Sequence, residues 1–172
     1  MSLLETAAAL LRHQDIPHAL IGAAALAVHG VSRATLDQDL LVTDRTVLDR
    51  SFWAAAHPAW DVDVRPGDAA DPLAGVVRIR AAGERDLDIV VGKHAWQAEI
   101  VSRADVGSAS DAPVVQAPDL VLLKLYAGGS QDRWDIEQLI ALDTDAGWRG
   151  TVDNRVRVLP PDAQALWSQL RV

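Results

Sequence analysis

The sequence predicts an α/β (α+β) fold, in which a small mixed β-sheet is flanked by helices and followed by a short helical region. Short apolar or alternating runs, which are typical of strands, recur along residues 18–91. Apolar positions with helical spacing separate some of these runs and dominate the chain after residue 117. A length of 172 residues, of which 49% are hydrophobic, suffices for one domain with a sizeable core.

The helices and strands follow from start and stop signals along the chain. Ser2 and Glu5 form a capping box for a first helix, which ends before Ile16 because a residue that precedes proline disfavours the α conformation. Asp44 is the predicted N-cap of a helix that runs to residue 57. Further helices are predicted at residues 23–29, around Trp96 and Ile100, and at residues 120–126, 131–142 and 161–170. Strands are predicted at residues 18–21, 38–43, 60–65, 76–80, 87–91 and 114–115, and a polar loop at residues 105–110.

Domain organisation and location are expected to be simple. Residues 1–116 are predicted to form the α/β core, and residues 117–172 a helical region packed on it in a single compact unit. Neither a signal peptide nor a membrane-spanning segment is predicted, so that no membrane partner is expected and the cytoplasm is the expected location.

Charge and composition restrict the function classes. The net charge of -8, with a pI near 4.9, discourages non-specific binding of polyanions. An RNA partner would require a local basic patch, for which Arg33, Arg78, Arg80 and Arg85 are the candidates. The chain has no cysteine and no zinc-type histidine spacing, which excludes disulfides and makes a zinc site unexpected. P-loop and α/β-hydrolase motifs do not occur in the sequence.

The stretch of residues 20–43 carries the main chemical signal. Gly22 ends a short apolar strand, and Asp37-Gln38-Asp39 leads directly into the apolar run at residues 40–42. Residues i and i+2 of a strand share a face at about 7 Å, so that two carboxylates would point to one side. Asp61 and Asp63 have the same spacing, but they alternate with valines and are predicted to lie on a solvated face.

Acids at the mouth of a buried strand favour a cation. The charges of Asp37 and Asp39 repel each other, and partial burial adds to this cost, which a divalent ion such as Mg²⁺ removes. A third carboxylate is expected from a neighbouring strand. Asp88 lies directly against the apolar run at residues 89–91, as Asp39 does against its own run, whereas Asp86 is closer to a turn. We therefore predict Asp88 as the third acid.

Three further residues have two interpretations each. Gly22 lets backbone N–H groups approach a phosphate, or it only permits a tight turn. Arg33 binds a triphosphate, or it pairs with an acid. Lys124 lies in an apolar helix and must reach an anion, which is either a nucleotide phosphate or, as a plain ion pair between two helices, Asp135. Asp132 shares a helix face with Asp135 and can position such a lysine.

These residues together resemble the DNA polymerase β-like nucleotidyltransferase superfamily. The resemblance lies in Ile21-Gly22-Ala23, in Asp37-Gln38-Asp39-Leu40 after thirteen intervening residues, and in the later Asp88-Ile-Val-Val. A finer pattern is similar to the AbiEii-like branch, which includes toxins of toxin–antitoxin and phage-defence systems. It consists of Gly22 with Gly30, Arg33, Thr35, Asp37 and Asp39, and of Asp119-Leu-x-x-x-Lys124-Leu followed by Asp132-x-x-Asp135-Ile. The resemblance covers roughly residues 15–143.

The resemblance implies a role for each of these residues. The metal ligands, for Mg²⁺ or Mn²⁺, would be Asp37, Asp39 and Asp88. The catalytic residues would be these three together with Lys124 and Asp135. The nucleotide would be bound by Gly22, Ala23, Arg33, Thr35, Lys124 and Asp132. One position departs from the superfamily, because Ala23 stands where serine or glycine is common and supplies no hydroxyl.

The implied function is Mg²⁺-dependent transfer of a nucleoside monophosphate from an NTP to an acceptor hydroxyl. The acceptor would be tRNA, a protein or a small molecule, and an antitoxin would be the partner if the chain is a toxin. In-line transfer at a phosphate needs metal and electrostatic stabilisation rather than a covalent intermediate, which suits a set of carboxylates with a lysine. The alternative is a catalytically silent antitoxin or regulatory protein with the same fold.

Overall fold

The computed structural model describes residues 1–34, 37–54, 57–106, 112–144 and 147–171. Within these ranges the chain forms eight α-helices and five strands. The helices are α1 (Leu3–His13), α2 (Gly22–Val28), α3 (Arg50–Ala54), α4 (Ala95–Ser102), α5 (Ala117–Ala127), α6 (Ser130–Leu142), α7 (Arg149–Arg155) and α8 (Pro161–Leu170). The strands are β1 (His18–Ile21), β2 (Gln38–Val42), β3 (Asp61–Pro66), β4 (Gly75–Arg80) and β5 (Leu87–Val91). In these ranges every helix is too short or too polar to cross a bilayer.

The five strands form one mixed sheet in the order β1-β2-β5-β4-β3. Strands β2 and β5 are parallel, and the other neighbouring pairs are antiparallel. The mixed α/β class predicted from the sequence is therefore confirmed. The parallel pair occupies the centre of the order, and it brings together the two strands that begin with the acidic motifs.

The two faces of the sheet differ sharply in polarity. Because side chains alternate along a strand, one face carries the apolar residues. On this face Leu40, Val77, Ile79, Leu87 and Ile89 are fully buried. The opposite face is half-buried and carries the charged residues of β4 and β5. The core thus fixes the register that orders the charged face.

The chain divides into two compact units. The first consists of Met1–Ala24 and Ala34–Val115 and contains the whole sheet. The second consists of Ala25–Arg33 and Gln116–Val172 and contains α5 to α8. The division of the chain into residues 1–116 and 117–172 stays a prediction.

Helix α5 is the central helix of the second unit. Pro118 lies in its first turn, and Gly128 follows its end in the left-handed conformation at φ 69°, so that both ends have the expected stop and start residues. The helix packs against α6, α7 and α8. It buries side chains around most of its circumference, which is typical of a central helix.

Two local predictions were wrong or incomplete, and a third lies largely outside the described residues. The helix predicted at residues 44–57 is split into a 3₁₀ helix (Arg45–Leu48) and α3, because Asp49 is extended and its carboxylate accepts from the N–H and hydroxyl of Ser51. Val114 forms only isolated bridges, with Leu20 and with Asp105. Residues 107–110 of the predicted polar loop lie outside the described residues.

Helix α7 was missed because its sequence has weak helix propensity. Gly150, Thr151 and Val152 fall in its first half, and each is a poorer helix former than alanine. The helix is held by tertiary contacts instead. Val152 is fully buried, and Arg155 donates to Asp119 of α5 at 2.8 Å.

Candidate active site

Asp39 of β2 and Asp88 of β5 are direct neighbours on the half-buried face of the sheet. The two parallel strands pair these residues in register, which places their Cα atoms about 4.8 Å apart and their side chains on the same face. On the other side of Asp39 lies Ile21 of β1, which is paired with it. The sequence predicted that Asp88 would come from a neighbouring strand, and the register makes it the residue closest to Asp39 on that strand.

Gly22 lies immediately against the carboxylate of Asp39. Its φ of 63° is in the left-handed region, which β-carbon-bearing residues rarely adopt. A Cβ built at this position would lie 2.0 Å from Oδ2 of Asp39 and 2.9 Å from its Cγ. Glycine is therefore required for two separate reasons, the backbone conformation and the space that the carboxylate occupies. Ala23 follows as the second residue of α2 and is half-buried.

Arg78 of β4 binds the carboxylate of Asp88 in a bidentate pair. The two residues face each other across β4 and β5. Nε of Arg78 donates to Oδ1 of Asp88 at 2.7 Å, and Nη2 donates to Oδ2 at 2.5 Å. This hydrogen-bonded carboxylate, with the nearby charges of Asp37 and Asp86, raises the pKa of the Arg78 guanidinium and keeps it protonated. Both oxygens of Asp88 are thus engaged by a cation that belongs to the chain.

A second set of ion pairs lies beside this one on the same face. Arg80 donates to Asp86 and to Asp61, each at 3.3 Å. Asp63 accepts from Arg65 at 2.9 Å and is more exposed than Asp88. The prediction that Asp61 and Asp63 lie on a solvated face is confirmed. Arg78 and Arg80, two of the residues considered for a basic patch, both contact acids.

Asp37 was predicted as a metal ligand and Thr35 as a nucleotide contact. Asp37 is exposed and precedes β2 by one residue, whereas Thr35 lies outside the described residues. In the described ranges, no group of three or more histidine, cysteine or acidic side chains is arranged to hold a metal ion. Asp39 and Asp88 fit a divalent ion in donor type and in position, since carboxylates are the ligands that Mg²⁺ prefers. Asp88 would have to exchange Arg78 for the ion.

Lys124, Asp132, Asp135 and Arg33 form a charge cluster in the second unit, in which Lys124 and Asp135 are buried and the other two are partly exposed. Nζ of Lys124 lies 2.6 Å from Oδ2 of Asp135 and 3.1 Å from Oδ1 of Asp132. Nη1 of Arg33 lies 3.0 Å from the same Oδ2 of Asp135, whose side chain is 0% exposed. Gln131 donates to the other oxygen of Asp135 at 3.3 Å. Two cations balance two carboxylates, which is the condition for burying such charges.

The ion pairs of this cluster are one of the two interpretations that the sequence left open for Lys124 and Arg33. Lys124 pairs with Asp135, and the acid that Arg33 meets is this buried one. Asp132 also accepts from the N–H of Gly129 and so caps the first turn of α6. Asp119, the first acid of the same sequence motif, is buried and binds Arg155.

Comparison with solved structures identifies the fold. The chain is similar to a candidate nucleotidyltransferase from H. pylori with a TM-score of 0.50 and 14% identity, over 98% of this chain and 92% of that one. The fold is that of the nucleotidyltransferases. ANT(2″)-Ia in complex with adenylyl-2″-tobramycin gives a TM-score of 0.49 at 17% identity, over 94% of this chain and 92% of that one. The lincosamide adenylyltransferase LnuA gives 0.44 at 11% identity, over 78% and 92%.

The likeness to the H. pylori protein shows the nucleotidyltransferase fold. No protein-family model matches the chain, and no curated protein matches it in sequence.

Within this nucleotidyltransferase-like sheet, sequence reasoning missed Arg78 as the partner of Asp88. A signal for the pair was present. The alternation of residues 76–80 places Arg78 on the polar face, and the turn at residues 81–84 indicates that β4 and β5 form a hairpin. The register of that hairpin, which sets Arg78 opposite Asp88, depends on the length and type of the turn.

Proposed function

We propose that the chain is a Mg²⁺-dependent nucleotidyltransferase that transfers a nucleoside monophosphate from an NTP to an acceptor hydroxyl. The observation that carries the proposal is the in-register pair of Asp39 and Asp88 beside the Gly22 turn. The resemblance to the superfamily implies this arrangement of a glycine turn and two strand acids. The fold of the chain is consistent with that resemblance. The acidic surface is consistent with a nucleotide whose phosphates are held through a cation.

In this proposal Asp37, Asp39 and Asp88 hold the divalent ion, which is Mg²⁺ or Mn²⁺. When bound, the ion would neutralise charge that develops on the attacking and leaving oxygens of the phosphoryl group. Asp88 would also accept the proton of the acceptor hydroxyl, since a carboxylate is a suitable general base. The register of β2 and β5 supports metal binding by Asp39 and Asp88, because it holds the backbones of the two residues at a constant distance.

The nucleotide contacts are proposed from the motif resemblance. The backbone N–H groups of Gly22 and Ala23 would approach the phosphates, and Thr35 would add a hydroxyl. By the same resemblance, Arg33 and Lys124 would supply positive charge to the nucleotide. Asp132 and Asp135 would orient them, and Asp135 already contacts both cations.

We further propose that the chain belongs to the AbiEii-like branch and acts in the cytoplasm as the toxin of a toxin–antitoxin or phage-defence system. The motif around Lys124 and Asp135 supports this assignment. The acceptor would then be a tRNA or a protein, with a small molecule as the other class, and an antitoxin protein would be the partner.

The test is transfer of label from each α-labelled NTP in the presence of Mg²⁺. The acceptors offered are total tRNA, a cell lysate and small-molecule alcohols. Asp39→Asn should lower transfer by about 100-fold or more, because it weakens metal binding and removes a charge at the reacting phosphate. Asp63→Asn is the matched control, since it removes the same charge from the same face of the sheet at a solvated position. Absence of transfer with every NTP, or equal activity of both variants, would contradict the proposal.

A catalytically silent regulatory protein is the second candidate. Two observations favour it: both oxygens of Asp88 are engaged by Arg78, and Ala23 lacks the hydroxyl common in the superfamily. This candidate predicts that a partner protein raises the melting temperature of the chain and that Mg²⁺ with an NTP does not. The first candidate predicts that Mg²⁺ with an NTP raises the melting temperature.

A further inference from the structure

Arg78 lies at the position where a metal ion would meet Asp88. Its guanidinium forms two parallel charge-assisted hydrogen bonds with the carboxylate, at 2.7 and 2.5 Å. The Asp88 side chain is 15% exposed, which limits competition from water. A divalent ion and a guanidinium on one carboxylate would repel each other strongly. Binding of a metal to Asp88 and pairing of Arg78 with Asp88 therefore oppose each other.

The phosphate oxygens of the proposed NTP substrate are an alternative partner for Arg78. Its side chain is 37% exposed and can leave the carboxylate without opening the core. A guanidinium binds phosphate oxygens with the same fork that it uses for a carboxylate. A triphosphate brought to the Asp39 and Asp88 pair carries several such oxygens and would compete with Asp88 for Arg78.

We propose that Arg78 couples metal binding to triphosphate binding: it holds Asp88 until a triphosphate draws its guanidinium away, and this releases Asp88 to the metal ion. Arg78 is in this sense a positioning residue, and the inference rests on the proposed function. The coupling is reciprocal, since a metal that displaces Arg78 from Asp88 leaves the guanidinium available to phosphate. Metal alone binds weakly, and metal and nucleotide bind cooperatively.

The neighbouring Arg80 gives a matched control for this proposal. It lies on the same strand and face as Arg78, and its substitution removes the same charge. Its contacts are with Asp86 and Asp61, each at 3.3 Å. Arg80→Gln thus shows how loss of one positive charge on this strand changes ligand binding. Arg78→Gln loses the same charge and also frees the carboxylate of Asp88.

The experiment measures binding of Mn²⁺ alone and of inorganic triphosphate alone, by calorimetry, to the wild-type chain and both variants. Arg78→Gln should bind Mn²⁺ about tenfold more tightly than the wild-type chain, because a cation next to the ligand is lost. It should bind triphosphate about tenfold more weakly, because the fork that receives phosphate is lost. Arg80→Gln should change both by less than about threefold. A residue that only stabilises the sheet would not change the two affinities in opposite directions.

Three outcomes would overturn the proposal. If Arg78→Gln and Arg80→Gln bind Mn²⁺ equally, Arg78 does not restrain the metal site. If both affinities fall in Arg78→Gln, the residue is structural. If Arg78→Gln does not fold, as judged by its melting curve, Arg78→Lys replaces it. Lysine keeps the charge but not the fork that engages both oxygens of Asp88, so triphosphate binding should still weaken while Mn²⁺ binding does not fall, and a fall in both affinities would again overturn the proposal.

Failure of this inference can be told apart from failure of the proposed function. If Mn²⁺ binds the wild-type chain and Asp39→Asn abolishes binding, the metal site stands whatever Arg78→Gln does. If Mn²⁺ binds none of the variants and no NTP supports transfer, both proposals fail together.

Discussion

Replacement of Gly22 by alanine is the most direct test of the structure around Asp39. Two costs are expected. The left-handed φ of 63° costs a β-carbon-bearing residue about 1–2 kcal/mol. The new Cβ would also lie 2.0 Å from Oδ2 of Asp39, far inside the 3.4 Å at which ordinary contact begins, so the carboxylate must turn away. Moving a side chain from its preferred rotamer in a packed place costs about 0.5–1.5 kcal/mol more. Gly22→Ala should therefore lower the free energy of unfolding by about 2–3 kcal/mol.

Gly83→Ala separates the two costs. Gly83 has a similar φ of 79°, but a Cβ there would meet nothing within 4 Å. This variant should lose only the backbone term of about 1–2 kcal/mol. The assay is urea unfolding of both variants, together with Mn²⁺ titration. Only Gly22→Ala should weaken Mn²⁺ binding, because it displaces a proposed ligand.

A double variant completes this test. In an Asp39→Ala background the carboxylate is gone, and Gly22→Ala should then cost no more than Gly83→Ala does. Equal destabilisation by Gly22→Ala and Gly83→Ala in the wild-type background would show that the Asp39 carboxylate adds no cost. The same conclusion would follow if Gly22→Ala cost as much in the Asp39→Ala background as it does in the wild-type chain.

Two further predictions concern other buried groups. Asp135→Asn should lower the free energy of unfolding, measured with urea, by about 3 kcal/mol, because the buried Lys124 and the partly buried Arg33 lose the carboxylate that they share. Asp132→Asn should lower it by about 1 kcal/mol or less, because the Asp132 side chain is 25% exposed. Equal losses would contradict this ranking. Burial lowers the pKa of His18 from its ordinary 6.5. As the pH falls, His18 is therefore protonated in the unfolded chain before it is protonated in the folded chain. The stability should be retained above about pH 6.5 and lost as the pH falls below it. His18→Gln should flatten the dependence of the urea midpoint on pH, and an unchanged slope would show that His18 does not cause it.

Most of the strand pattern could be predicted from the sequence because it is locally encoded. The residues of β1 and β5 are those predicted from apolar runs, β2 and β4 differ by one residue at one end, and β3 is shifted by one residue at both ends. The failures have local causes too. Asp49 restarts the helix that Asp44 was expected to begin, since both are capping residues of the same kind. Helix α7 forms against its own propensity because Val152 and Arg155 gain partners elsewhere in the chain.

The sequence shows that Asp39 and Asp88 lie at the start of buried strands and that Gly22 follows another. These features are local, because side-chain alternation and turn residues belong to one segment. The atoms that these residues contact are set by the packing of several segments. Strand register sets Asp88 beside Asp39 and Arg78 opposite Asp88, and a left-handed turn sets Gly22 against the Asp39 carboxylate. The register of β2 and β5 arises from the packing of the apolar face, to which both distant segments contribute, and the register of β4 and β5 also depends on their turn.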